Sequence, residues 1–181
     1  HGDVIMIGCY IVFTMMTTLG MNPIVSILTA VVGCTVLGVV IEKIAYKPLR
    51  KASPLAVLIT AIGVSYFLQN LALIIFGADT KSFTSVVNMQ PLRLAGGKLV
   101  ISGVTIVTVI VCIVIVAALM LFIKKTKAGQ AMLAVSEDKD AAQLMGVNVN
   151  RTISLTFAIG SGLAAIAGVL LCSAYPTLSP Y

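Results

Sequence analysis

Five stretches of this chain run without a single charged residue: 4–19, 24–41, 55–76, 99–123 and 152–172. A helix rises about 1.5 Å per residue, so roughly 20 apolar residues carry it across a hydrocarbon layer of about 30 Å. The last three stretches reach that length outright, the second reaches it with Pro23 and its flanking residues, and the first is shorter. Apolar residues make up 59% of the chain and charged residues 10%, against about 25% charged in a soluble domain. With a mean hydropathy of +1.10, there is too little polar surface to cover a water-facing globule. The predicted fold class is all-α, a polytopic transmembrane helix bundle of about five spans, with residues 1–181 forming a single transmembrane domain in a lipid bilayer. The opening at His1 and the stop at Tyr181 read as cuts, and the short first stretch reads as the second half of a broken helix.

Local punctuation supports these limits. Asn22-Pro23 and Ser53-Pro54 each set a capping side chain before a proline at the first helical position, where the missing N–H was unsatisfied anyway. Asn150 is expected to cap the fifth helix. The net charge of +6 is not a nucleic-acid face, because the cations sit between the apolar stretches. Lys43, Lys47, Arg50 and Lys51 fall in one such loop and Lys124, Lys125, Lys127, Lys139 and Arg151 in another. The alternate loops hold only Lys81, Arg93 and Lys98. This asymmetry predicts that 43–51 and 124–151 face the cytoplasm and that 77–98 is an outer loop. The outer loop carries a turn at Gly96-Gly97 and a short β-prone run, 83–87.

The chemistry of catalysis is missing. Cys9, Cys34, Cys112 and Cys172 all lie in apolar stretches with no C-x-x-C spacing, and they read as small core hydrophobes. His1 has no partner for metal or triad work, and no metal site is expected. No ionisable residue falls inside the five stretches, which argues against an intramembrane enzyme or an ion-coupled carrier; Glu42 and Lys43 read as interfacial anchors. The nearest approach to a P-loop, Gly97-Lys98, runs into Leu99, so ATP would have to bind on another chain. Thr60, Ser65, Gln69 and Asn70 remain as uncharged polar groups in the third stretch, and either hydrogen-bond between helices or line a substrate path. Small residues four apart, Ala30, Cys34 and Gly38, then Gly160, Ala164 and Gly168, predict close helix packing, with Val169 on another face.

The loop between the fourth and fifth stretches is more specific. The run KKTKAGQAMLAVSEDKDAAQLMGVNVNRTISLTFAIGSGLAAIAG at 124–168 resembles the ABC permeases of the branched-chain amino acid family, LivH type. HGDVIMIGCY at 1–10, EKIAYKPLRKASPLAVLITAIGVSYFLQN at 42–70 and SAYPTLSPY at 173–181 agree with that family in order, so the resemblance covers essentially the whole chain. Lys47 stands where the family commonly has Arg, a cation in either case. Family members continue with further spans at both ends.

The resemblance implies a permease subunit in the bacterial cytoplasmic (inner) membrane that imports branched-chain amino acids and is not itself an enzyme. It implies two ATP-binding cassette subunits holding ATP and Mg²⁺, a second related permease subunit and an extracytoplasmic amino-acid-binding protein, with no cofactor on this chain and no nucleic-acid partner. It places Asp140, Ala141, Ala142 and Gly146 in the cytoplasmic coupling loop, 124–151, that docks on the ATPase. The residues themselves agree: Asp138 can cap a short helix whose Ala141, Leu144 and Met145 share a face, and Gly146 can end it at positive φ. An amphipathic helix lying on the membrane surface would read the same way. The rival functions are a permease of the same superfamily for urea, short amides or a sugar, and a passive facilitator or channel.

Overall fold

Proline, capping side chains and left-handed glycines set the helix limits. A computed structural model of the chain describes residues 2–20, 22–50, 52–77, 81–82, 92–94, 99–174 and 177–178. Pro23 opens α2 (Pro23–Ile41) and Pro54 opens α3 (Pro54–Phe76). Ser53 caps α3 by accepting from the Ala56 N–H at 3.4 Å, whereas Asn22 makes no side-chain cap bond to α2. Before them lies α1 (Gly2–Thr17). After them come α4 (Gly103–Lys125), α5 (Lys127–Glu137), α6 (Lys139–Leu144) and α7 (Val149–Ala174). The cap of α7 is Asn148, not Asn150: its side-chain oxygen accepts from the Arg151 N–H at 3.1 Å, because the helix starts at Val149, two residues earlier than a cap at Asn150 implies.

Among the described residues four helices are long and apolar enough to cross a membrane: 23–46, α3, α4 and α7. The expected count of about five is therefore four, plus the shorter apolar α1. The first stretch loses its end because Thr18 and Leu19 turn out of the helix and Gly20 takes a φ of +59°. Among the described residues two short antiparallel strand pairs accompany the helices without altering the class. β1 (Lys81–Ser82) pairs with β4 (Thr177–Leu178), and β2 (Leu92–Leu94) pairs with β3 (Leu99–Ile101). Residues 99–101, expected to begin the fourth span, are thus extended, as Val100 and Ile101 favour. The expected run at 83–87 and the turn at Gly96-Gly97 lie outside the described residues.

The chain divides into two compact units, residues 1–86 with 157–181, and residues 87–156. In the first, small side chains let backbones meet. The buried stripe of α2 is Ser26, Ala30, Cys34 and Gly38, four residues apart throughout. Gly8 of α1 presses so close to α7 that an added Cβ would lie 3.2 Å from Ala165 Cα, and one at Gly168 would lie 2.9 Å from the Ile5 carbonyl oxygen. A Cβ at Gly38 would run into Ser161. Apolar clusters fill the remaining space. Val4, Cys34, Ala164 and Ala165 form one. Cys9, Tyr10, Val12, Ala30, Val169 and Cys172 form another, with Tyr10 stacked on Phe76 at 4.4 Å between centroids.

Ala164 and Gly168 of the ladder therefore face protein, and Gly160 is half-buried. Val169 was expected elsewhere and is buried with Ala164 and Gly168, because α1 covers two adjacent rows of α7 and Val169 continues the Ala165 row at four-residue spacing. Overpacking such a contact costs about 1–3 kcal/mol. Ala165→Leu should lower the thermal midpoint in detergent, while Ala167→Leu, at an exposed position of the same helix, should leave it near the parent value. Equal midpoints for the two variants would place this face of α7 outside the packed interior.

Candidate functional site

The first turn of α1 lies beside the middle of α3. Asp3 points across to that helix and accepts two hydrogen bonds, from Ser65 Oγ to Oδ2 at 2.6 Å and from Gln69 Nε2 to Oδ1 at 3.0 Å. Ser65 and Gln69 are four residues apart, so they share a helix face and reach the same carboxylate. All three line a cavity of about 560 Å³ within the first unit. Val4, Ile62, Leu68 and Phe157 give it an apolar wall.

Of the four polar residues marked on the third stretch, the structure brings two to this cavity. Thr60 donates instead to the Ala56 carbonyl at 2.9 Å and Asn70 to the Tyr66 carbonyl at 2.7 Å, both within their own helix. Neither is among the residues lining the cavity. Asp3 was missed because it stands one residue before the first apolar stretch, where a carboxylate reads as an interfacial cap. Only the packing of α1 against α3 puts it about midway along a spanning helix.

At the far end of α2 the stripe of small residues runs on, at the same spacing, to Glu42. This side chain is not an interfacial anchor: it is 0% exposed and ion-paired with Arg50. A π turn, Glu42–Tyr46, makes the pairing possible. It closes with the Lys47 N–H donating to the Glu42 carbonyl at 2.8 Å, adds a residue to the turn and carries the chain back so that Arg50 reaches Glu42. Tyr46 from the same turn lies tilted against Phe157, 5.2 Å between centroids. The Pro-Leu-Arg run at 48–50 was the available sequence signal; what it lacked was the partner.

The second unit holds the expected coupling loop. Thr126 ends α4 by donating to the Phe122 carbonyl at 2.7 Å and caps α5 by accepting from the Gly129 N–H at 3.0 Å. The turn is so tight that a Cβ at Gly129 would strike the backbone of Phe122 and Ile123. Asp138 caps α6, its Oδ1 accepting from the N–H groups of Asp140 and Ala141 at 2.9 and 3.0 Å. Gly146 ends that helix at φ +84°. Of the four residues assigned here, Asp140, Ala141 and Gly146 are exposed and Ala142 is buried in its own chain. The prominent outward groups are Leu144 and Met145, 90% and 85% exposed.

A family model described as the permease component of branched-chain amino acid transport systems matches residues 1–181. The high-affinity branched-chain amino acid transport system permease protein LivH of Escherichia coli is 37% identical over 191 aligned residues, covering 100% of this chain and 62% of that protein. The corresponding protein BraD of Pseudomonas aeruginosa is 35% identical, covering 99% of this chain and 62% of its own length. A probable LivH of Methanocaldococcus jannaschii is 28% identical over 94% of this chain and 55% of its own. The chain thus spans about three-fifths of the length of the curated relatives it matches. No solved structure matches it.

The Glu42–Arg50 pair generates a test. Removing one partner of a buried ion pair leaves an uncompensated charge and costs about 3–5 kcal/mol, whereas removing both is far milder. Arg50→Ala should therefore depress the thermal midpoint sharply, and adding Glu42→Gln to Arg50→Ala should recover part of the loss. A double variant less stable than Arg50→Ala alone would mean that Glu42 is not held by that guanidinium.

Proposed function

The chain belongs to the permease-component family of branched-chain amino acid transport systems, and from that membership we propose that it is the membrane-spanning subunit of an ATP-driven importer of branched-chain amino acids. It is an integral, multi-pass protein of the inner membrane, with helices of spanning length and composition. The observation that carries the reading is the match of the family model across all 181 residues. ATP and Mg²⁺ are held by two separate cassette subunits. A second, related permease completes the pore, and an extracytoplasmic binding protein delivers the amino acid. The cation asymmetry supports a cytoplasmic position for 43–51 and 124–151.

In this reading α5 and α6 form the element that meets the ATPase. Nucleotide-driven closure of the ATPase pair moves that element, and alternating access follows because the cargo and its binding protein bind the outward and inward states differently. Leu144, Met145 and Ala141 supply the exposed apolar contact at the tip of the loop, Asp138 fixes the start of α6, and Gly146 turns the chain away. Ala142 serves the loop's own packing. Two exposed large apolar side chains on a water-facing loop suit burial in a partner.

Leu144→Asp should leave expression and membrane insertion unchanged, since the side chain touches little of its own chain. ATP-driven leucine uptake in vesicles holding the assembled importer should fall on the order of tenfold or more, the loss typical of a central interface residue. Recovery of the ATPase with the permease should fall with it. Gly146→Val should do the same through the backbone, a β-branched residue at such a φ costing about 1–3 kcal/mol. Wild-type uptake and ATPase recovery in Leu144→Asp would remove the docking assignment. Uptake that proceeds without ATP would favour a passive facilitator, and uptake of urea or a sugar in place of leucine would change the cargo.

A further inference from the structure

Asp3 and Glu42 are both carboxylates packed among spanning helices, and they are treated differently. Glu42 has a guanidinium beside it. Among the described residues, Asp3 receives its hydrogen bonds from neutral donors, the Ser65 hydroxyl and the Gln69 amide. Among the described residues no lysine or arginine pairs with it. A carboxylate has about four acceptor positions, and one on each oxygen is used, so capacity remains toward the cavity that Asp3 lines. Ionisable groups at membrane depth are costly and are kept chiefly where they meet a substrate, an ion or each other.

The rest of the cavity is of another character. Val4, Ile62 and Leu68 present aliphatic surface and Phe157 a ring. A volume of about 560 Å³ lies within the range of small-molecule sites, which combine a mostly apolar lining with a few placed polar groups. One anionic group beside an aliphatic wall fits a ligand with a cationic head and a branched hydrocarbon tail.

Resting on the permease reading above, we propose that this cavity binds the transported amino acid within the membrane, with Asp3 accepting hydrogen bonds from its ammonium group and the Ile62 and Leu68 side of the wall holding its branched side chain. Ser65 and Gln69 are positioning residues: each fixes one carboxylate oxygen and so aims the remaining acceptor positions. Asp3 is then a specificity determinant of the permease itself. A neutral solute of similar size brings no charge to Asp3 and leaves the carboxylate unmatched, which disfavours sugars and short amides at this point on the path.

Site occupancy can be read separately from transport. Ile62→Cys in a Cys112→Ser background, where Cys9, Cys34 and Cys172 are buried, provides a thiol in the cavity wall. The assembled importer in proteoliposomes is labelled with a membrane-permeant maleimide in the presence of leucine, of 3-methylbutylamine, which keeps the ammonium and lacks the carboxylate, or of 4-methylpentanoate, which does the reverse. Leucine and the amine should slow labelling and the acid should not. Asp3→Asn, which keeps the size and an acceptor oxygen, should raise the half-protecting concentrations of leucine and the amine on the order of tenfold or more, the loss of a charge-assisted hydrogen bond. Unchanged protection by leucine in Asp3→Asn would overturn the proposal. So would equal or better protection by the acid than by the amine in the protein retaining Asp3, a comparison that decides even where Asp3→Asn fails to assemble. Either failure with ATP-driven leucine uptake intact leaves the permease reading standing, whereas absence of both uptake and leucine protection removes the two together.

Discussion

The closeness of α1 to α2 and α7 is the constraint on which the first unit depends. Lipid tails are as apolar as leucine, so helices in a bilayer gain little from mere burial and associate through tight packing and hydrogen bonds. That packing is available here because Gly8, Ala30, Cys34, Gly38, Ala165 and Gly168 lie where backbones meet. A larger side chain at Gly8 would press on Ala165 and Cys34 and lift α1 away. Its first turn would move with it, and Asp3 would part from Ser65 and Gln69. The cavity is bordered by the large residues Ile62, Leu68 and Phe157 and, at the close contact of α2 with α7, by Gly38 and Ser161.

The two carboxylates show how one chain uses ionisable groups in opposite ways. Burying Glu42 removes its hydration, and Arg50 replaces it through a π turn that folds the basic loop back onto the helix end. The result joins α2 to the loop that leads into α3. Asp3 is oriented by two neutral donors that hold its oxygens in place, and among the described residues no cation pairs with it. An arrangement that fixes geometry and leaves charge unmatched suits recognition better than cohesion, and it lies in the unit whose close helix contacts make it rigid.

Much of this was legible in the residues. Charge-free stretches of spanning length gave the helices, Pro23 and Pro54 their starts, and the four-residue spacing of small side chains their contact faces. Asp138 and Gly146 announced the limits of α6, since a carboxylate before a helix and a glycine after it satisfy the backbone in known ways. Depth was not legible. Nothing in His-Gly-Asp says that Asp3 lies level with Ser65, because that relation depends on how α1 seats against α3. The partner of Glu42 was hidden for a similar reason, the π turn having no pattern of its own. Val169 was misplaced by treating a single row of α7 as its whole contact face, and the burial of Ala142 in its own chain was not legible because a small residue on a short helix carries no sign of what covers it.

The central claim is that the seating of α1 brings Asp3 against α3. It is tested most directly by a double-mutant cycle of Asp3→Asn and Gln69→Leu on the thermal stability of the permease in detergent. Residues in contact couple by about 0.5–3 kcal/mol, whereas separated ones add to within roughly 0.3–0.5 kcal/mol. The account predicts a coupling in the first range, with the double variant losing less than the two single losses together. Strict additivity would mean that Asp3 does not meet Gln69, and would contradict both the placement of α1 and the site built on it.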